Sequence, residues 1–480
     1  MTSEEPFYRQ KILYLMAFSS SLGSMAWGYN LSSFNALRVF LQVNVFPGAS
    51  DFEISLIASL LTLGAAGGSF YAGRLLSMFG RLKVLRYSDM FGIFATFLCM
   101  FQSLFLMVLG KIIIGVIIGI NGVTISLYNI EMAPIPMKGI MSSVSMSLLA
   151  FGVTLGLVVQ LLVPDLVEGK DSQIWRLLMG VPILFHAGRL AIFTYILPYE
   201  TPLYLTLQNK ESEAKEVLEK IYIRDVDGQF QRVIRDKWAV TGVGMPKFED
   251  LLTPKYRRAF FVALFIMASN QLCGFSHVFI FFNTFITESA GNDAHTVSVF
   301  ATIMGIISFF TAAFANIIIE KFNRRPLFII PMGCMAASLL LYAFIGFIDG
   351  PSNPLLKYIL SIWPLFYRTS VGTLAFIYVA EVLPGIGVSI SVFSNWVLAF
   401  VSVQSCLPLV KAIGTSGVMF FFGCFCCFAC WAYDKYLIES RGRTKAELLE
   451  LFEKADTREG SFVENGSEMK NIPLLDKSNV

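Results

Sequence analysis

The chain has 480 residues, of which 55% are hydrophobic and 15% charged, with a formal net charge of +3. Soluble domains carry about 25% charged residues, so this composition cannot cover a water-facing surface and excludes an ordinary soluble protein. Near-neutrality without a compact basic domain also excludes nucleic acid as a partner.

The apolar residues fall in blocks long enough to cross a bilayer, which takes roughly 20 residues of helix. In chain order they lie near 12–32, 54–73, 87–108, 110–132, 140–163 and 176–197, then near 259–282, 296–319, 327–348, 358–383, 388–411 and 415–434. Lipid offers backbone polar groups no partner, so each block is a predicted helix. The fold class is all-α and polytopic, with twelve transmembrane helices in two six-helix bundles. The organisation reads as an N-terminus over 1–11, a first bundle over 12–197, a linker over 198–257, a second bundle over 258–434 and a tail over 435–480. Glu4 and Glu5, with no small-residue cleavage site after the first block, mark that block as a retained span rather than a signal peptide. In the linker, Glu211 to Lys220 reads as an amphipathic surface helix with Glu216 and Lys220 one turn apart. The tail from about 456 is rich in Ser, Asn, Glu and Lys and is expected to be disordered.

Basic residues set the expected orientation. Arg74, Arg81, Lys83 and Arg86 follow the second block, and Lys321, Arg324 and Arg325 follow the eighth. The other side holds only Arg38, Lys170, Lys357 and Lys411, which places both termini and the linker in the cytoplasm. All eight cysteines lie inside apolar blocks and read as small packing residues, with Cys430 near enough to the cytoplasmic end for palmitoylation. No nucleotide-binding glycine loop, metal-ligand cluster or nucleophile–base arrangement is present. Neither an enzyme activity, a cofactor nor a metal is therefore expected.

The chain also repeats itself. Tyr128-Asn-Ile-Glu131-Met-Ala-Pro134 ends the fourth block and Tyr378-Val-Ala-Glu381-Val-Leu-Pro384 ends the tenth, about 250 residues on. Gly80-Arg81 after the second block pairs with Asn323-Arg324-Arg325 after the eighth, and Glu200 after the sixth with Glu439 after the twelfth. Two halves of like orientation place a solute site between them, with access alternating as they rock. Ionisable groups within spans are costly and need a partner or a task. Arg81, Glu131, Lys138, Glu200, Arg324, Arg325, Glu381, Glu439 and Arg443 gather at the cytoplasmic ends and read as ion pairs that latch the halves together. Arg189 is close enough to its span end to snorkel, and Lys111 is placed at the outer end of span four. Arg368, near the middle of span ten, is read as a cavity residue touching solute or a fixed counter-charge. His277 is open to a solute or to a neighbouring helix. Asn30, Asn270, Gln271 and Ser276 supply donors and acceptors beside glycines, which suits hydroxyl-rich solutes.

These marks together resemble the sugar porter family of the major facilitator superfamily, from about Lys11 to Leu451. The resemblance is carried by Gly73-Arg74 with Gly80-Arg81, by Gly110-Lys111 with Gly115 and Gly119, and by the Tyr128–Pro134 segment. It continues through Pro198-Tyr-Glu-Thr-Pro202, Asn270-Gln271-Leu-Cys-Gly274, Glu320-Lys-Phe-Asn-Arg324-Arg325, Ser394-Asn395-Trp396 and Glu439-Ser-Arg-Gly442-Arg443-Thr444. The resemblance implies two six-helix bundles around a sugar, commonly a hexose. It implies sugar hydrogen bonds from Gln271, Asn270 and Asn395, and apolar lining from Trp396 and Phe376. Asn30 stands where proton-coupled members carry Asp, and an amide cannot cycle a proton, so passive facilitation is expected. The sequence departs from the family at Ala150, where a Gln is usual, at Ser308 for Asn and at Phe376 for Trp. It also has Arg368 where an uncharged or acidic residue is usual, and it lacks an Arg near Gly385. The expected function is a facilitative monosaccharide transporter of the plasma membrane, with an internal membrane as the alternative location. Arg368 motivates an organic-anion carrier on the same scaffold as the alternative, and a non-transporting sensor or assembly subunit is the third reading.

Overall fold

The computed structural model describes residues 8–158, 173–241, 248–275, 278 and 294–464. Its helices run α1 Gln10–Phe40, α2 Asp51–Phe79, α3 Arg81–Leu98, α4 Leu104–Met132, α5 Lys138–Val158, α6 Ile174–Gly180 and α7 Pro182–Ala191. The linker carries α8 Pro202–Leu207, α9 Glu211–Ile221 and α10 Val226–Thr241. The second half follows with α11 Pro254–Leu272, α12 Ala294–Lys321, α13 Arg324–Asp349, α14 Leu355–Thr369, α15 Val371–Val382, α16 Gly385–Tyr436 and α17 Lys445–Glu464. Among the described residues β pairing is limited to an isolated bridge between Tyr8 and Tyr222.

The elements are built as lipid demands. Among the described residues, six segments are each long and apolar enough to cross a membrane unaided, Leu104–Met132 and Arg324–Asp349 being examples. The sixth span is α6 with α7, and the tenth is α14 with α15, joined at Ser370 where the backbone leaves helical geometry. The eleventh and twelfth share α16, which turns at Gly414 with φ 71, a conformation that a side chain would oppose. Helices within the first bundle approach closely where residues are small: a Cβ at Gly119 of α4 would lie 2.0 Å from the Ala65 carbonyl oxygen of α2.

The break between spans three and four differs from the sequence expectation. Gly80, at φ 83, lets α3 begin at Arg81 itself. The third span therefore ends early, at Leu98, and α4 starts at Leu104, with its N-cap Ser103 accepting from the Leu106 amide. Lys111 is consequently not at an outer end but two turns inside α4 and buried. Its Nζ lies 3.4 Å from Asn30 Oδ1 and 5.3 Å from the Phe34 ring centre.

Arg189 also departs from expectation, because it does not snorkel. It is fully buried in the first bundle, with Nη2 2.8 Å from Asp89 Oδ1 and Nε 2.9 Å from both carboxylate oxygens. His186 Nδ1 is 2.8 Å from the same Asp89, and Arg189 also donates to the Ser20 carbonyl and to Asn121 Oδ1, each at 3.2 Å. Gly23 makes room: a Cβ there would come within 1.9 Å of the guanidinium. The network joins α1, α3, α4 and α7, so four spans are held by one charge pair.

On the linker side a second core seats the linker helices on the first bundle. Ala214, Val217, Leu218 and Ile221 of α9 pack with Leu82, Leu85 and Tyr128. The amphipathic helix expected near Glu211 is thus present, with its apolar face against the ends of the spans.

Removing one member of a buried pair leaves an uncompensated charge, at about 3–5 kcal/mol. Asp89→Ala should therefore lower stability by that amount, read as a drop in the unfolding midpoint of the detergent-purified protein. A midpoint equal to the parent's would mean that Arg189 is held by its neutral partners alone.

Candidate functional site

Between the bundles lies a narrow cavity. Trp27, Leu31, Thr62, Met146 and Leu149 of the first half face Asn270, Gln271, Phe275, Tyr367, Arg368, Phe376, Asn395 and Trp396 of the second. Gly274, at φ 95, ends α11 immediately beyond the two amides and leaves them in its last turn. The amides form a chain. Tyr367 donates to Asn270 Oδ1 at 3.2 Å, Asn270 Nδ2 donates to the Val371 carbonyl at 3.0 Å, and Gln271 Nε2 donates to Asn395 Oδ1 at 3.1 Å. Aromatic rings close over them. Trp27 meets Trp396 at 5.3 Å and Phe376 at 6.0 Å between ring centres, and both contacts cross from one half to the other. The indole N–H groups of Trp27 and Trp396 are buried without an acceptor among the described residues. Such donors suit a solute that brings its own oxygens.

Arg368 sits in the last turn of α14 and lines this cavity. Its Nε donates to Ser308 Oγ at 2.9 Å, and its guanidinium carbon is 5.6 Å from the centre of the Tyr367 ring. Tyr367 is in turn stacked between Phe275 and Trp363, at 4.6 Å and 5.1 Å.

The charged groups at the span ends repeat the duplicated sequence residue by residue. In the first half Arg81 pairs with Glu131 at 2.7 Å, and Thr201 Oγ1 donates to the other Glu131 oxygen at 2.7 Å. Glu200 accepts from the Arg81 and Leu82 amides at 3.0 Å each. In the second half Arg324 pairs with Glu381 at 3.5 Å, and Ser440 Oγ donates to Glu381 at 2.7 Å. Glu439 accepts from the Arg324 and Arg325 amides at 2.8 Å and 3.0 Å. Glu200 and Glu439 therefore cap α3 and α13 from a distance, placing negative charge on helix N-termini whose first amides have no partner in the helix.

This geometry corrects the expected latch. Arg81, Glu131 and Glu200 bond within the first bundle, and Arg324, Glu381 and Glu439 within the second, so these groups brace each half internally. Arg325 likewise pairs with Asp434 of its own half at 2.9 Å. The physical reason is the cap: each Glu must reach the start of a helix two or more spans away in its own bundle. The seam between the halves is made differently. Gly73 of α2 lies against Ser389 and Ile386 of α16, and Gly139 of α5 against the Arg324 guanidinium, where an added Cβ would be 2.7 Å and 2.6 Å from the nearest atom. Lys138 and Arg443 border a second cavity at this seam, together with Glu131, Glu381, Asp236 of α10 and Lys445 of α17. Lys445 donates to the Leu383 carbonyl at 2.8 Å.

The other sequence candidates distribute unevenly. Asn270, Gln271, Asn395, Trp396, Phe376 and Arg368 come together at the cavity. Asn30 is buried but turned to Lys111, and its Nδ2 donates to the Ala26 carbonyl at 3.0 Å. Ser308 reaches the cavity only through Arg368. Ser276 and His277 lie outside the described residues. Trp27, Tyr367, Asp89 and Lys445 were not singled out from sequence. Trp27 stood next to the Gly28-Tyr29-Asn30 mark, and Asp89 was the acid within an apolar block that Arg189 required.

Comparison with known proteins agrees with this architecture. The family described as "Sugar (and other) transporter" matches residues 12–452. The chain belongs to that family, and is a multi-pass membrane transporter rather than an enzyme. Among curated relatives, it is 26% identical over 476 residues to the putative metabolite transport protein YfiG of Bacillus subtilis, covering 96% of each. It is 25% identical to the facilitated glucose transporter member 1 of solute carrier family 2 from Gallus gallus, covering 92% of this chain and 93% of the relative. Its fold is that of the proton:xylose symporter XylE bound to 6-bromo-6-deoxy-D-glucose, with a TM-score of 0.81 at 18% identity over 93% of this chain and 100% of that one. The partially occluded inward-open form of the xylose transporter XylE from E. coli superposes with a TM-score of 0.72 at 17% identity, over 90% of this chain and 100% of that one.

The seam generates a pH dependence. Burial pushes the Lys445 ammonium from its ordinary 10.5 down to about 8, against the pull of Glu131 and Asp236. Between about pH 8 and 10.5 the folded protein thus binds one proton fewer than the unfolded chain, so stability rises with pH across that window. Thermal unfolding of the parent and of Lys445→Met from pH 7 to 10.5 should show the rise in the parent only. Parallel profiles would show that Lys445 titrates as an exposed lysine does.

Proposed function

We propose that this transporter carries a monosaccharide of hexose size by alternating access, down the solute's own gradient and without proton coupling. The supporting observation is the amide chain of Asn270, Gln271 and Asn395 in a cavity walled by aromatic rings from both halves. Amides exchange hydrogen bonds with hydroxyls in either direction, and aromatic faces accept the apolar face of a sugar ring. Because Trp27 on one half closes on Phe376 and Trp396 on the other, separating the bundles on one side would open the site to that side alone. The absence of coupling rests on Asn30. Its amide, set against Lys111, cannot gain and lose a proton near neutral pH. The basic residues that border the linker side favour a cytoplasmic placement of the linker and both termini.

Reconstituted into liposomes, the protein should exchange labelled monosaccharide in counterflow at a rate indifferent to an imposed proton gradient. Gln271→Ala removes one buried hydrogen-bond partner and leaves Asn395 unmet, a loss of about 1–3 kcal/mol, so the half-saturating solute concentration should rise about 5- to 150-fold. Uphill accumulation driven by the proton gradient would exclude the passive reading. Unchanged half-saturation in the variant would remove Gln271 from the site.

A further inference from the structure

The second cavity, on the linker side of the seam, is built unlike the one between the aromatic walls. It holds about 90 Å³, well below the roughly 300 Å³ at which pockets for drug-sized ligands begin. Four cations line it, and they come from three separate parts of the chain. Lys138 belongs to the first half, Arg232 to the linker helix α10, and Arg443 and Lys445 to the second half. Three acids share the lining, and two of them are already committed within their own halves. Glu131 is held by Arg81 and Thr201, and Glu381 by Arg324 and Ser440. That leaves Asp236 of α10, whose carboxyl is pushed upward by burial against the pull of Lys138, Lys445 and Arg235.

The cations keep donors to spare. Among the described residues the side chains of Lys138 and Arg443 make no hydrogen bond and no contact ion pair. Lys445 gives one proton to the Leu383 carbonyl, and Arg232 Nη1 gives one to Gln229 Oε1 at 3.3 Å. An ammonium has three donors and a guanidinium five, so each retains more than it uses. Like charges gathered around a small cavity repel one another, and an anion relieves that repulsion where a neutral molecule does not. Donors converging from three parts of the chain suit a tetrahedral phosphoryl group, which turns oxygens in several directions at once.

We propose that the linker-side cavity binds a small soluble anion with one or two phosphoryl groups, received by Lys138, Arg232, Arg443 and Lys445. Lys138 travels with one half and Arg443 with the other, so the anion reaches both only while the seam is closed on this side. Its tighter binding to that state is what shifts the protein towards it. The site therefore acts as a brake on rocking, set by a phosphorylated ligand. Nothing in this depends on which solute crosses between the aromatic walls.

The test is calorimetric titration of inorganic pyrophosphate into the full-length protein in detergent, for the parent, Lys138→Gln, Arg443→Gln and the double variant. Malonate and micelles containing phosphatidic acid serve as competing probes. The parent should bind pyrophosphate at a single class of site. The half-saturating concentration should rise about tenfold in each single variant and about a hundredfold in the double variant. Malonate should bind about tenfold more weakly, and phosphatidic acid should not displace pyrophosphate. Bound pyrophosphate should also slow backbone hydrogen exchange at the starts of both α5 and α17. No binding by the parent at millimolar pyrophosphate, or equal binding by the parent and a folded double variant, would overturn the proposal. Malonate bound as tightly as pyrophosphate would overturn the phosphoryl class, and displacement by phosphatidic acid would overturn the soluble source in favour of a lipid headgroup. Slowed exchange in one half alone would overturn the tie between the halves. Should the double variant fail to fold, the single variants and the parent's hydrogen exchange decide the matter.

Discussion

Lipid imposes the constraint on which everything else in this molecule depends: a charge within a span must be matched inside the protein, because water cannot match it. Asp89, Arg189 and His186 meet that demand for the first bundle and, in doing so, tie α1, α3, α4 and α7 into one unit. At the span ends the same demand is met twice over. Arg81 with Glu131 and Glu200 in one half, and Arg324 with Glu381 and Glu439 in the other, pair a guanidinium and cap a helix with the same small set of side chains.

The consequence is a contrast in stiffness. Within a half, ion pairs, remote caps and close glycine contacts resist deformation. Across the seam the halves meet through glycines, aromatic edges, hydrogen bonds from Ser147 to the Ala312 carbonyl, from Thr154 to the Gly305 carbonyl and from Gln404 to Ser59, and a ring of charges shared with α10 and α17. Two bodies braced internally in this way rock about their seam more readily than they bend, and the cavity lies on that seam. Arg324 bridges the two regimes. It is paired with Glu381 in its own half, yet its guanidinium rests on Gly139 of the other, so a bulkier residue there would push the bundles apart on the linker side.

Much of this was legible in the chain. Block lengths gave the spans, and the recurrence of Tyr-x-x-Glu-x-x-Pro gave the duplication. The amide pair at Asn270 and Gln271 read as donors and acceptors for a solute or as glue between helices, and both side chains line the cavity. What was not legible was pairing. A repeated motif says that Glu131 and Glu381 play equivalent parts, but equivalence is satisfied equally by partners within a half or across halves. Geometry decides it, because Glu200 and Glu439 must reach the first amides of α3 and α13. Arg189 was misjudged for a similar reason: distance to the span end permits snorkelling, and only the fold shows Asp89 and the gap at Gly23 beside it. Lys111 was misplaced because Gly80 starts α3 earlier than the hydropathy does, and the following boundary shifts with it.

Internally braced halves that rock about their seam can be tested directly by placing spin labels in a cysteine-free version of the protein, on exposed lysines at Lys83 and Lys321 across the seam and at Lys83 and Lys220, the latter on α9 where it is seated against the first bundle. On addition of a transported solute, the distance across the seam should redistribute between a short and a long population, while the distance within the half stays single and unchanged. Active exchange with no change across the seam, or with an equal change inside the half, would contradict the account.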